Sequence, residues 1–107
     1  MASEPVAVTE IVRRYVSALE RNGLAIKEAF LFGSHARGTA GPYSDIDVAL
    51  VSDCFSGDRF EDRRRIVPLR RDIDDRLEPI PFRPEDFENG GILVEEIHRT
   101  GVPVLMH

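Results

Sequence analysis

Leu31-Phe32-Gly33-Ser34-His35-Ala36-Arg37-Gly38, followed after a short loop by Ser44-Asp45-Ile46-Asp47-Val48-Ala49-Leu50-Val51, is the stretch on which the reading of this chain turns. The first part reads as an apolar strand over residues 25–32 that Gly33 breaks and that passes into a helix start. Glycine lets the backbone approach a ligand closely, Ser34 adds a hydroxyl, and the free N–H groups at a helix start favour anions, phosphate above all. Arg37 brings a cation for a charge-assisted contact with phosphate, or for closing the loop onto a carboxylate. No Gly-Lys-Ser/Thr follows, so this is not a P-loop, and Gly-x-Gly-x-x-Gly is also missing.

The second part reads as a buried strand over residues 46–51. Asp45 and Asp47 are two apart, so both point to one face, about 6–7 Å apart along the strand, while Ile46, Val48 and Leu50 turn to the other. Aspartate is depleted in strands, and two carboxylates on one face repel unless a cation lies between them. Magnesium prefers carboxylate, water and phosphate oxygens. Taken alone, Asp-Ile-Asp fits a solvent-facing strand edge better than a metal site. Together with a phosphate-suited turn on a neighbouring strand only about 4.8 Å away, the pair points to a bound metal–triphosphate.

Outward from this centre the elements are mixed. Val8, Ile11, Val12, Tyr15, Val16 and Leu19 recur every three or four residues, predicting an amphipathic helix over 5–22 that Asn22-Gly23 stops. Gly38, Gly41 and Pro42 make 34–44 a short helical turn and a loop; the gap is too short for a full crossover helix. Residues 58–76 carry Ile66, Leu69, Ile73 and Leu77 on one stripe and read as a helix that Pro68 kinks or splits. Residues 77–82 (Leu-Glu-Pro-Ile-Pro-Phe) read as a third strand, at a sheet edge because its prolines cannot donate to a ladder. A turn over 83–87, a helix over 91–100 and an extended segment over 102–105 complete the chain. The expected architecture is α+β, a small mixed sheet with helices mainly on one face.

At 107 residues with 42% apolar content, residues 1–107 are expected to form one domain. No apolar run is long enough to span a bilayer, and Met1-Ala2-Ser3-Glu4-Pro5 lacks the basic start and apolar block of a signal peptide. The one cysteine, Cys54, excludes an internal disulfide and a multi-cysteine zinc site. Together these lead to the expectation of a cytoplasmic protein with no membrane partner. The net charge of −5 gives no reason to expect a nucleic acid. Six arginines nevertheless fall between Arg63 and Arg76, interleaved with Asp72, Asp74 and Asp75; this is a solvated helix face or a docking surface for an acidic partner. His35 reads as a surface residue, and Ser44 as the cap of the turn before Asp45 or a nucleotide contact.

The segment Gly33–Val51 closely resembles the signature of the DNA polymerase β-like nucleotidyltransferase superfamily, and the Gly-Ser-x-Ala-Arg-Gly and Ser-Asp-Ile-Asp-Val runs resemble its minimal nucleotidyltransferase (MNT) branch. The resemblance implies the polymerase-palm type of fold, with Gly33 and Ser34 holding a triphosphate, Arg37 binding phosphate or supporting the loop, and Asp45 and Asp47 holding two Mg2+ ions. It also implies a third acid on a later strand, for which Glu78 is the best match although Pro79 and Pro81 disturb that strand. The implied reaction moves a nucleoside monophosphate, AMP from ATP in this branch, to a hydroxyl. MNT proteins are similar to antitoxins paired with HEPN-family RNase toxins, implying a hetero-oligomer with such a toxin, AMP addition to the partner, or neutralisation by binding alone. Candidate docking surfaces are the arginine-rich 63–76 segment and the apolar side of the last helix (Ile92, Leu93, Ile97).

Overall fold

The computed structural model describes residues 4–106. Its elements are α1 (Glu4–Arg21), β1 (Glu28–Phe32), α2 (Ser34–Arg37), β2 (Ile46–Val51), α3 (Arg59–Ile66) with a 3-10 turn Val67–Arg70, β3 (Leu77–Phe82), α4 (Pro84–Asn89), α5 (Ile92–Thr100) and β4 (Val102–Met106). Helix α1 stops as its sequence dictates: Gly23 takes φ 87°, and its N–H and that of Leu24 return to the carbonyls of Glu20 and Leu19, both at 3.0 Å.

The four strands form one mixed sheet in the order β3-β2-β1-β4. β1 is antiparallel to β2 and β4, whereas β2 and β3 run parallel. The connection between β1 and β2 holds only the single-turn α2 and no crossover helix, and the two strands pair antiparallel. Between β2 and β3, α3 and the 3-10 turn supply the connection that parallel strands need.

Two layers of side chains follow from the period-two alternation of the strands. Ala29, Leu31, Ile46, Val48, Leu50 and Leu77 face α1 and Ile66 of α3, and form the larger core. Phe30, Phe32, Ala49, Val51 and Phe82 face the other way, under Phe87 of α4 and Val94 and Ile97 of α5. The cover is therefore two-sided but uneven, with the long helix on one face and two short ones on the other. Residues 83–87, read from sequence as a turn, instead open α4: Pro84 sits at the start of a helix, where its missing N–H would be unpaired anyway. β1 begins only at Glu28, three residues later than the apolar run suggested.

Pro68 divides the predicted 58–76 helix. α3 ends at Ile66, the chain tightens into a 3-10 turn through Arg70, and residues 71–76 are not helical. The carbonyl of Ile66 at this break accepts a hydrogen bond from the fully buried Tyr15 hydroxyl, 2.6 Å away. At the other end of α3, Asp58 caps the N–H groups of Phe60 and Glu61. The buried Asp62 accepts from Ser56 and Gly57 and ties the preceding loop down.

β3 is an edge strand and both prolines occupy harmless positions. The carbonyls of Arg76 and Phe82 accept from Ile46 and Ser52 on the β2 side, so Leu77, Pro79 and Pro81 turn their backbone groups outward, where no ladder donor is missed. Arginines from α3 and the 3-10 turn cover that edge: Arg70 donates to the Leu77 carbonyl at 2.6 Å and Arg63 to that of Pro79 at 2.8 Å. This protects the edge from pairing with another chain.

Replacing Tyr15 by Phe leaves the Ile66 carbonyl without its buried donor. The variant is expected to lose about 1–3 kcal/mol of stability, measured as a lower midpoint in urea unfolding with an unchanged slope.

Candidate active site

The register places the sequence-predicted residues at one corner of the sheet. Phe32 pairs with Asp47 across β1 and β2, and Asp47 pairs with Glu78 across β2 and β3. These three therefore form one row on the same face, at the β1 end where Gly33 turns the chain into α2. Asp45 lies just before β2 and is exposed, and Asp47 is half-buried.

Gly33 adopts φ 76°, ψ −153°, a conformation essentially reserved for glycine. A Cβ at this position would lie 2.2 Å from Oδ2 of Asp47. The missing side chain is thus what allows the turn and the carboxylate to share the corner. Ser34 begins α2, a single turn that Arg37 closes by donating its N–H to the Gly33 carbonyl at 3.1 Å. The first N–H groups of such a turn have no acceptor within it.

The corner carries excess negative charge. The carboxyl of Asp47 is held above the usual carboxylate range, first by burial and then by the nearby charges of Asp45 and Glu78; His35 and Arg37 oppose this only in part. His35 corrects the sequence reading. It is buried rather than a surface residue, with Nε2 3.4 Å from the Ser44 carbonyl, because α2 folds back over the loop that leads into β2. Ser44 closes the turn from Gly41, with its Oγ accepting from the Gly41 N–H at 2.9 Å and its own N–H donating to the Gly41 carbonyl. Arg37 reaches away to Glu96 of α5 at 3.3 Å, through half-exposed side chains.

Glu78 shares the row and adds its charge to Asp47, but its own oxygens are engaged elsewhere. Arg63 and Arg70 extend round the β3 edge and hold its two oxygens at 3.4 and 3.3 Å. Sequence reasoning singled out both arginines as part of a helix face or docking surface and missed their contact with Glu78. The signal was present in the outward prolines of β3, whose neighbouring carbonyls need donors from elsewhere. Among the described residues no three His, Cys, Asp or Glu side chains converge closely enough to hold a metal ion unaided. Asp45 and Asp47 still suit Mg2+, which is usually held by one or two carboxylates together with substrate phosphates and water rather than by an all-protein cage.

Residues 12–96 match the family described as the nucleotidyltransferase domain. The chain belongs to this family. Nucleotidyltransferase domains generally use a nucleoside triphosphate and a divalent metal. Solved structures with the same fold include a candidate nucleotidyltransferase from Sulfolobus solfataricus, at a TM-score of 0.67 and 17% identity, covering 94% of this chain and 81% of that one. A toxin–antitoxin structure with AMP-PNP aligns at a TM-score of 0.64 and 19% identity, covering 89% and 73%. An MntA–HpeT toxin–antitoxin structure with a double aspartate-to-glutamate mutation aligns at 0.59 and 17%, with the same coverage. No curated protein matches the chain significantly. No described helix of this nucleotidyltransferase domain is long and apolar enough to cross a membrane.

Two outcomes follow from the corner. Gly33→Ala is expected to cost about 1–3 kcal/mol in stability from its backbone conformation alone and to displace the Asp47 carboxylate, which isothermal titration with Mg–ATP would read as lost binding. Asp47→Asn is expected to raise the metal-free melting temperature by a few degrees at neutral pH. The sign follows from the raised folded-state pKa: the stability this group contributes is fully present below its unfolded value and is lost as pH rises through the folded one. The gain of the variant should therefore vanish in acid, as a pH series of thermal melts would register.

Proposed function

We propose that this chain is a magnesium-dependent nucleotidyltransferase that moves AMP from ATP to a hydroxyl on a partner protein, and that it serves as the antitoxin of a HEPN-type toxin. The observation that carries the reading is the corner itself, where the Gly33 backbone lies against Asp47 and Asp47 is destabilised by Asp45 and Glu78. A cation would relieve that repulsion and, in binding, carry a phosphate to the turn that Ser34 opens. The protein–protein part of the reading is supported by fold similarity to toxin–antitoxin structures, one with AMP-PNP and one in which two aspartates two positions apart are changed to glutamate.

In this reading Asp45 and Asp47 hold the metal, while Gly33 and the turn opened by Ser34 receive the triphosphate. Bound metal would neutralise phosphate charge and favour the departure of pyrophosphate. Phosphoryl and nucleotidyl transfers ask the protein mainly for positioning and electrostatic stabilisation, and each residue here serves one of those ends. Gly33 allows the close approach, Ser34 offers a hydroxyl to a phosphate oxygen, Arg37 braces α2 against α5, and Ser44 fixes the loop that delivers Asp45. In the same reading Glu78 would complete the metal site and help to activate the acceptor hydroxyl, once its carboxylate leaves Arg63 and Arg70. A cytoplasmic hetero-oligomer with the toxin is the assembly this function requires.

A second reading, neutralisation by complex formation without transfer, rests on one specific observation: both oxygens of Glu78 are occupied by arginines. One experiment separates the two. The chain is incubated with the protein encoded by the adjacent reading frame, Mg2+ and ATP, and the partner is weighed by intact mass spectrometry. The transferase reading expects an AMP-sized gain that falls about 100-fold or more in rate in Asp45→Ala/Asp47→Ala. A tight complex with no mass gain would instead establish the binding reading.

A further inference from the structure

α3 and the turn after it carry a second surface, away from the Gly33–Asp47 corner. The inward side of this segment is consumed by the fold, with Asp62 and Ile66 buried and Leu69 packed on the main core. Its outward side is Phe60, Arg63, Arg64, Val67 and Pro68, at positions i, i+3, i+4, i+7 and i+8. The first three lie on α3 and the last two on the 3-10 turn, and together they offer apolar surface beside basic side chains, although Arg63 also reaches Pro79 and Glu78. Phe60 is 71% exposed, and these five residues line an open groove of about 450 Å³. A second groove of about 330 Å³ continues from Val67 and Pro68 to Arg70, Arg71 and Asp75.

We infer that this stripe is a docking surface for an acidic, apolar-faced helix of a partner protein. Charge complementarity selects that occupant. Arg63, Arg64, Arg70 and Arg71 line the two grooves against one acid, Asp75, in a chain whose net charge is −5; Arg63 and Arg70 share part of their charge with Glu78, and Arg64 and Arg71 face solvent. The Arg64–Glu61 pair leaves both side chains more than half exposed and neutralises little. A second copy of the chain is a poor occupant, because a two-fold contact sets the same arginines against one another. A nucleic acid would use the arginines but has no use for the aliphatic part of the groove at Val67 and Pro68, and the overall charge opposes it. Exposed aromatic and arginine side chains around an apolar centre are the residues that dominate protein–protein binding energy. The surface does not depend on the transfer reaction, so its test is independent of nucleotide and metal.

The test uses the full chain and three fluorescent probes in anisotropy titrations without ATP: an amphipathic helical peptide with a leucine face and glutamates elsewhere, its lysine-for-glutamate counterpart, and a single-stranded RNA. The acidic peptide is expected to bind and the other two are not. Phe60→Ala should weaken binding about tenfold or more, and Arg64→Ala/Arg71→Ala should weaken it severalfold with a reduced salt dependence. All three side chains are exposed, so circular dichroism and melting should match the parent. Equal binding of the acidic and basic peptides, RNA binding alone, full affinity in Phe60→Ala, or no binding of the acidic peptide would each overturn the inference.

Discussion

The backbone of Gly33 lies against the carboxylate of Asp47, and the arrangement of the candidate site depends on that contact. It requires a residue without a Cβ in a conformation other residues avoid. It also requires an aspartate brought half out of water beside two further acids. Neither feature helps the metal-free chain to fold. Strained backbone and unrelieved like charge persist where the surrounding structure over-determines them, and here two buried strands do so. Phe32 and Ile46, which flank the corner, are anchored in opposite core layers, so the turn and the carboxylate cannot drift apart.

The arginines of α3 and the turn behind it link three roles. They seal the outer edge of β3, whose prolines cannot donate. Through Arg63 and Arg70 they also restrain Glu78, and through Phe60, Arg64 and Val67 the same segment presents a stripe to solvent. Edge protection and restraint of an acid beside the site are thus supplied by the same two side chains.

The stability of the corner is also tied to a distant contact. The Tyr15 hydroxyl satisfies the carbonyl at which α3 ends, and so fixes where the chain departs towards Arg70. Ile66 is also the residue from which the 3-10 turn starts, so the hydroxyl adds a side-chain donor where the helix changes its winding. Helix α1 thereby positions the arginine that reaches Glu78, although no residue of α1 lies in the row with Asp47.

The sequence by itself determined the elements whose signals are local. Apolar periodicity defined α1, Asn22-Gly23 its end, Pro68 the break in the third helix, and the prolines of 77–82 an edge strand. It also put Gly33-Ser34 at the end of one strand and Asp45-Ile46-Asp47 at the start of the next, while the antiparallel register that sets the two ends face to face came from the sheet. Where a residue's fate depended on neighbours distant in sequence, only the tertiary structure decided it. His35 is buried because α2 folds over the loop before β2. Pro84 opens a helix, not a turn, because Phe87 finds a second apolar layer to enter. Glu78 faces two arginines because the β3 edge leaves carbonyls that need donors. Hydrophobic period and backbone chemistry act over a few residues and can be read along the chain, whereas the partner of a charged side chain is fixed by packing between elements that the sequence does not place side by side.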